Sequence, residues 1–229
     1  MIRTLSGIIL LLFSSAATGQ NFGGNWTVSG PAVIDPLTLE ITWHPDSFYL
    51  VKGYHYTPEP SWYGEGLEAF GYFAFALGID VPGVHAYKMQ DSALSGLAIG
   101  YKGEELYAEG SGDVAGFRAS DVNLRGTWIQ VKAHGEKEIT LTLERNEDVH
   151  PAVFVATLSN GEETKGGYGV VFDEVLVVGV LGEAGRIISV LHIEDNILNG
   201  NWLESRWIGA DYESREFDTG TVKLERIKE

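Results

Sequence analysis

Hydrophobic and polar residues alternate along most of this chain, which is the pattern of β-strands. In segments 37–43 and 138–144 every second residue is apolar, and the residues between them are polar. Because successive side chains of a strand point to opposite faces, this alternation predicts strands with one face in a core and the other in water. The best helical candidate, segment 170–181, is rich in valine and interrupted by glycine, which favours a buried strand. We therefore predict an all-β fold.

Clusters of Gly, Asn, Asp and Pro divide each half of the chain into seven or eight short strands. The predicted strands of the first half lie near 25–30, 37–43, 48–56, 62–67, 71–77, 84–89, 94–101 and 105–109. Those of the second half lie near 126–132, 138–144, 152–158, 166–171, 174–180, 186–193, 198–205 and 220–227. Short strands joined by tight turns favour an antiparallel meander that closes into a β-barrel, because closure removes exposed edges. A β-sandwich is the alternative architecture.

One set of turn and strand landmarks occurs twice in the chain. The second copy follows the first at offsets between 102 and 104 residues. The matched landmarks are Gly24 and Trp26 with Gly126 and Trp128, Leu39 and Ile41 with Leu141 and Leu143, Gly64 and Gly66 with Gly167 and Gly169, and Leu94 and Gly96 with Leu198 and Gly200. We therefore predict a duplication, with one β-barrel unit at 20–120 and a second at 121–229, linked through segment 110–116.

The order of these landmarks resembles that of exported bacterial tandem-repeat β proteins of unknown function. Each repeat of that group opens with Gly-x-Tyr/Trp, continues through a Gly-x-Gly pair and closes with Leu-x-Gly-x-Trp. The second unit has the full close at Leu198, Gly200 and Trp202, whereas the first has Leu94 and Gly96 without the tryptophan. The Gly-x-Trp opening also resembles that of lipocalin- and avidin-type β-barrels, which enclose small ligands. These resemblances imply two calycin- or avidin-like meander barrels and assign no activity.

The N-terminal segment 1–19 has the pattern of a signal peptide. Arg3 supplies the positive start, an apolar run follows, and Ala17 and Gly19 are the small residues expected before a cleavage site. The apolar run is shorter than the roughly 20 residues needed to span a bilayer. The chain contains no cysteine, and small secreted animal domains usually depend on disulfides. We therefore expect an exported protein, periplasmic or extracellular, of bacterial origin.

The chain is acidic, with a formal net charge of −16 at pH 7 that is spread evenly over the two predicted units. An even acidic field repels phosphate groups, so we expect neither nucleic acid nor an anionic membrane surface as a partner. No segment after the leader is long and apolar enough to predict a membrane span. The expected partner is a protein, a glycan or a small ligand that is neutral or cationic.

No sequence motif points to catalysis. The six histidines lack metal-ligand spacing, and no Gly-x-Ser-x-Gly signature is present. Acidic neighbours such as Glu162–Glu163 and Asp173–Glu174 are expected to face water or opposite sides of a strand, so they do not build a coupled acid and base. We therefore predict no catalytic residue, no metal site and no cofactor. A hydrolase assembled from distant residues stays open as an alternative.

Aromatic residues concentrate in the first unit, whereas the equivalent places in the second are mostly aliphatic or small. Residues 54–63, the aromatic loop, contain Tyr54, Tyr56, Trp62 and Tyr63 together with two prolines. Rings with polar tips on a proline-restricted loop are typical of contact surfaces, because little entropy is lost on binding. We predict these four residues as the ligand-binding site. The alternative is that the rings fold back and seal one end of the first barrel.

The sequence predicts an exported, non-catalytic binding or interaction module that acts through its loops or its barrel interior. The first alternative is a small-ligand carrier of lipocalin type, which requires a lined and empty cavity. The second alternative is a hydrolase built on a β-barrel, which requires converging polar residues. The recurring tryptophans, Trp26, Trp128 and Trp202, are interpreted as core plugs rather than as residues that stack on a ligand.

Overall fold

The structure is a computed structural model, which describes residues 22–28, 37–54, 56–77, 83–90, 93–102, 105–111, 123–131, 138–146, 150, 152–183, 185–207 and 215–227. The predicted signal peptide at 1–19 lies outside the described residues, as do positions 112–116 of the predicted linker.

The described residues form sixteen strands, and the order of the strands in each sheet follows their order along the chain. The first eight are β1 (Gly24–Val28), β2 (Leu37–His44), β3 (Phe48–Tyr54), β4 (Trp62–Ala69), β5 (Tyr72–Leu77), β6 (Gly83–Gln90), β7 (Ala93–Lys102) and β8 (Glu105–Ser111). The second eight are β9 (Gly126–Gln130), β10 (Thr140–Arg145), β11 (Val153–Ser159), β12 (Thr164–Phe172), β13 (Val175–Gly182), β14 (Gly185–Glu194), β15 (Ile197–Trp207) and β16 (Arg215–Arg226).

The strands form two antiparallel meanders in separate sheets. Strands β9 to β16 make a closed barrel, called the barrel below, in which β9 pairs with both β10 and β16. Strands β1 to β8 make a curled sheet, called the half-barrel below, whose edges among the described residues are β1 and β8. The prediction of an all-β fold made of two barrel-like meander units is confirmed.

The last two strands of each unit pair at equivalent positions. Gly96 of β7 pairs with Ser111, and the equivalent Gly200 of β15 pairs with Val222. In the barrel, β16 continues beyond this pair and also pairs with β9 through residues 224–226. The positions that would correspond to 224–226 in the first unit lie outside the described residues.

The predicted landmarks occupy matching strands in the two units. Gly64 and Gly167 lie on the fourth strand of their sheets, and Gly96 and Gly200 lie on the seventh. At Gly96 and Gly200 a Cβ atom would collide with the carbonyl oxygen of the neighbouring strand, at Ala86 or Val190. Glycine is therefore required at the same place in both sheets because the backbones approach too closely for a side chain.

The outer face of the half-barrel packs against the outer wall of the barrel. In β5, Tyr72, Ala74 and Ala76 belong to the core between the units, whereas Phe73 and Phe75 point to the concave side. This division follows from the alternation of side chains along a strand. The half-barrel is therefore covered on both faces, which explains why β5 is apolar throughout instead of alternating.

A glycine brings the two units into close contact at the centre of this interface. A Cβ atom on Gly179 of β13 would lie 2.6 Å from Cγ2 of Val84 on β6. Val84 is fully buried, so its isopropyl group occupies the space that a side chain at 179 would need. Here the glycine serves packing between the units and not a turn.

A buried ion cluster joins the units on one side of the interface. Arg186 Nε lies 3.0 Å from Glu65 Oε2, and Arg215 pairs with the other oxygen of the same carboxylate. The three side chains are exposed by 5% or less. Arg186 also donates to the carbonyl of Ala76 at 3.3 Å. Buried charges need such partners, so the cluster fastens β4 to β14 and β16.

A second polar contact joins the units at the opposite end of the interface. The hydroxyl of Tyr72 donates to Asp173 at 2.8 Å, and Lys88 Nζ lies 3.1 Å from the same carboxylate oxygen. The hydrogen bond from Tyr72, followed by that from Lys88, lowers the pKa of Asp173. Asp173 is held in its turn between β12 and β13, where its φ is +48°.

Candidate ligand-binding cavity

The interior of the barrel contains a cavity of about 210 Å3. Most of its lining is apolar, and polar groups are few. The apolar lining residues are Ile139, Leu141, Leu158, Val178, Val180, Ile187, Leu191, Trp202, Val222 and Leu224. The polar lining residues are Gln130, Asn160, Glu163, Lys165, Ser189 and Glu204. Apolar walls with a few placed polar groups are typical of sites for small molecules.

Trp128 closes the barrel below the cavity. Its side chain is fully buried, and its indole nitrogen donates to the carbonyl of Leu124 at 3.1 Å. The guanidinium of Arg226 lies 5.7 Å from the ring and donates to the carbonyl of Asn123 at 2.9 Å. Trp128 belongs to the buried core cluster of the barrel, which fits its interpretation as a core plug.

The half-barrel begins with the same local arrangement. The indole nitrogen of Trp26 donates to the carbonyl of Phe22 at 2.8 Å, four residues earlier, as Trp128 donates to Leu124. Trp26 is only partly buried, because it lies on β1 at the edge of the open sheet. The two units therefore share this tryptophan hydrogen bond but differ in the side chains that occupy their interiors.

Three charged side chains lie at the other end of the cavity, the mouth. Lys165 Nζ is 3.2 Å from Glu163 Oε1 and 3.5 Å from Glu204 Oε1, and its side chain is only 6% exposed. Asn160 holds the turn that carries Glu163 by accepting hydrogen bonds from the backbone N–H of Glu162 and Glu163, at 3.0 and 2.8 Å. The other oxygen of Glu204 lies 3.5 Å from Arg206 Nε, so two cations are paired with two carboxylates at the mouth.

Equivalent cross-strand pairs show why the barrel is hollow. In the half-barrel, Phe75 of β5 faces His85 of β6. In the barrel the corresponding pair is Val178 of β13 and Ser189 of β14. The backbone ladder is the same, but two rings are replaced by an isopropyl group and a hydroxymethyl group. The cavity therefore results from smaller side chains on a conserved strand arrangement.

Trp202 forms one wall of the cavity. It takes the place of Ala98, since Ala98 faces His85 and Trp202 faces Ser189. Gly220 of β16 makes room for the indole, because a Cβ atom there would lie 2.9 Å from Trp202 Nε1. Trp202 was interpreted as a core plug, but it lines the cavity and presents an aromatic surface to it.

The concave side of the half-barrel is filled by rings. The ring of Phe73 lies 5.0 Å from that of Phe22, 5.2 Å from Tyr49 and 5.3 Å from Phe75, measured between centroids. His85 stacks on Phe75 at 4.5 Å. Burial lowers the pKa of His85 to about 4, so the imidazole is neutral at neutral pH and packs as another ring.

The predicted site residues of the aromatic loop differ in their exposure. Tyr56 is 68% exposed and Trp62 is 38% exposed, whereas Tyr54 and Tyr63 are half-buried. The hydroxyl of Tyr54 donates to Glu40 at 2.5 Å, and this hydrogen bond raises the pKa of Tyr54 to about 12. Tyr54 is thus tied to the neighbouring strand, while Tyr56 and Trp62 present their rings to solvent.

The four predicted residues do not share one surface. On β4, Tyr63 is two residues from the interface residue Glu65, so it points to the outer side, whereas Trp62 points to the concave side. Trp62 pairs with Gly53 as Lys165 pairs with Leu158, so Trp62 takes the place that Lys165 has in the barrel. The aromatic loop therefore lies at the end of the half-barrel that corresponds to the mouth.

The cavity residues were not identified from the sequence. Lys165, Ser189 and Gln130 are single polar residues in strands, and no motif distinguishes them. The useful signal was the difference between the copies, in which aromatic positions of the first unit become aliphatic or small in the second. That difference indicates lost volume inside one barrel, and not only an aromatic surface on the other.

Within the described ranges, no group of three or more His, Asp or Glu side chains is arranged to hold a metal ion. Among the same residues, no helix is long and apolar enough to cross a membrane. Comparison of the chain with family models, with curated proteins and with solved structures found no match, so a function has to be inferred from the fold and the cavity.

Proposed function

We propose that the protein is an exported, non-catalytic binding protein that holds a small, mainly apolar molecule inside its second unit, the barrel. The observation that supports this proposal is the lined cavity of about 210 Å3 between Trp128 and the charged mouth. An apolar cavity of about 150 Å3 is large enough to take up benzene, so a molecule with one ring fits this volume.

The physical chemistry of the cavity favours such a ligand. Its walls are already formed by strands, so little conformational entropy is lost when it is filled. Transfer of apolar surface from water contributes roughly 25 cal/mol for each Å2 buried. The net charge of −16 disfavours anions. The expected ligand is therefore small, apolar over most of its surface and not anionic.

The test fills the cavity by introducing the phenylalanine that the half-barrel has at the equivalent position. Val178→Phe introduces the equivalent of Phe75 and should abolish the binding of p-xylene, measured by isothermal titration calorimetry. The matched control is Val155→Phe, the same change on the outer face of β11, where Val155 is 38% exposed. The control should bind as the unmodified protein does. Equal binding by both variants would contradict the proposal.

A second candidate function is a contact surface on the aromatic loop. The exposure of Tyr56 and Trp62 supports it, since exposed rings with a polar tip can pack on a partner and also hydrogen-bond to it. Replacement of both by alanine should leave the melting temperature nearly unchanged and remove binding to arrayed oligosaccharides. Tyr54→Ala should instead lower stability, because it removes the hydrogen bond to Glu40. A large stability loss from the double replacement would support the alternative that these rings seal the half-barrel.

The carboxylates at the mouth offer less support for the hydrolase alternative. Glu163 and Glu204 both contact the ammonium of Lys165, at 3.2 and 3.5 Å. Glu204 also lies 3.5 Å from Arg206 Nε. Hydrolysis by an acid and a base needs two carboxyl groups in different roles, and both of these are engaged in ion pairs. The binding function is therefore the better supported of the two.

A further inference from the structure

One polar atom inside the barrel has no partner. The side-chain carbonyl oxygen of Gln130 is buried and accepts no hydrogen bond within the described part of the chain. Buried acceptors are normally paired, because removing one from water without a replacement is costly. A ligand that donates a hydrogen bond at this point would remove that cost, whereas a purely apolar ligand would keep it.

The position of Gln130 explains why the described residues around it supply no donor. Gln130 is two residues beyond Trp128 on β9, so both side chains point into the barrel. Leu224 faces Gln130 across the ladder, and Leu141 faces Trp128. The carbonyl is therefore set among apolar side chains on the cavity wall. A ligand in the cavity can supply the donor that these neighbours lack.

The charges of the mouth and the walls restrict the ligand further. An anion inside the barrel would lose its water, and the cations at the mouth, Lys165 and Arg206, are already paired with Glu163 and Glu204. A cation inside would lose its water among leucine and valine side chains and find few polar groups in return. Both charged forms are disfavoured. The aromatic wall formed by Trp202 favours a ring over an open chain.

We infer that the cavity selects an uncharged ring that carries a hydroxyl group, a phenol-type ligand, whose hydroxyl donates to the side-chain carbonyl of Gln130. This inference rests on the proposed function, and it adds the chemical class of the ligand and the residue that selects it. Gln130 is a specificity-determining residue in this arrangement, and Trp202 supports the ring.

The test compares probes of nearly equal size by isothermal titration calorimetry. p-Cresol and p-xylene differ only by a hydroxyl in place of a methyl group. The unmodified protein should bind p-cresol about tenfold more tightly, as expected when a hydrogen bond satisfies a buried acceptor. Benzoate and benzylammonium should bind at least about tenfold more weakly than p-cresol, because a charge has to be buried.

A substitution at Gln130 tests whether this residue causes the preference for p-cresol over p-xylene. Gln130→Met keeps the length of the side chain without the carbonyl. The affinity of this variant for p-cresol should therefore fall to its affinity for p-xylene, and its affinity for p-xylene should be no weaker than that of the unmodified protein. Asn199→Leu is the control, since Asn199 is an exposed amide on β15. It should leave both affinities unchanged. The side-chain carbonyl resonance of Gln130 should also move during titration with p-cresol and stay in place with p-xylene.

Each outcome separates the two proposals. If neither p-xylene nor p-cresol binds the unmodified protein, the proposed function fails. If both bind with equal affinity, or if benzoate binds as well as p-cresol, the inference fails and the proposed function stands. If the preference for p-cresol persists in Gln130→Met, Gln130 does not select the ligand. The comparison of probes and the carbonyl resonance are measured on the unmodified protein. The inference can therefore be tested even if Gln130→Met folds poorly.

Discussion

The half-barrel and the barrel place the same cross-strand ladder around two different interiors. Phe73 and Phe75 fill the concave side of the half-barrel, and at the equivalent positions the barrel has Leu176 and Val178. Backbone pairing therefore does not decide whether a unit is solid or hollow. Side-chain volume at a few inward positions decides it, because the strands hold their arrangement by hydrogen bonds and by the shared outer interface.

The largest expected effect tests whether the half-barrel interior is a core and the barrel interior is a site. Phe75→Ala should lower the free energy of unfolding by about 3–5 kcal/mol, as for buried phenylalanines in tightly packed cores. The matched change Val178→Ala should cost about 2 kcal/mol or less, because it removes less apolar surface beside an existing cavity. Urea denaturation measures both. Equal losses would remove the distinction between the two interiors.

The next effect concerns the connection between the units. Glu65→Gln keeps the side-chain volume but removes the negative charge between two buried guanidinium groups, those of Arg186 and Arg215. We expect a loss of about 3 kcal/mol, since breaking a buried ion pair leaves charge uncompensated. Scanning calorimetry should also resolve two transitions if the units then unfold separately. An unchanged melting temperature would show that this cluster does not hold the units together.

A smaller effect should come from the glycine at the interface. Gly179→Ala places a methyl group 2.6 Å from Val84 Cγ2, and we expect a loss of about 1–3 kcal/mol from overpacking. Gly166→Ala is the control, because no atom lies within 4 Å of a Cβ at that position. Val84→Ala should restore part of the stability of Gly179→Ala when the two are combined. Denaturation of the unmodified protein, the two single variants at 179 and 84 and the double variant completes this double-mutant cycle.

The smallest effect depends on pH. Because the pKa of Asp173 is lowered in the folded protein, its contribution is complete above the ordinary value of about 4 and is lost as pH falls through the lowered value. Asp173→Asn should cost less than about 1 kcal/mol at pH 7, since the carboxylate is 51% exposed. The difference between the two proteins should shrink below about pH 4. A difference that grows with acidity would contradict the assignment.

Local pattern was enough to predict the strands. Alternation at 37–43 predicted β2 (Leu37–His44) within one residue, and turn residues separated β12 (Thr164–Phe172) from β13 (Val175–Gly182). These features depend on neighbours in the chain, where side-chain periodicity and turn preference act directly. The meander order followed from short connections between successive strands.

Features that depend on distant contacts could not be predicted in the same way. Glu65 and Arg186 each look like ordinary charged residues of a strand, and only the packing of one unit on the other buries them. The cavity likewise requires knowledge of which inward positions face one another, such as Val178 and Ser189. The aromatic loop was conspicuous in sequence, yet its residues separate onto different faces because β4 alternates.

Strand β13 forms part of the cavity wall and part of the interface with the half-barrel. Val178 and Val180 line the cavity, while Val177 and Gly179 of the same strand lie against the half-barrel. The wall between the cavity and the other unit is thus one strand thick at β13. A molecule in the cavity that pushes this strand outward would also change the packing of the half-barrel against the barrel. Occupancy of the cavity and attachment of the half-barrel are then linked equilibria, and each changes the other by the same factor.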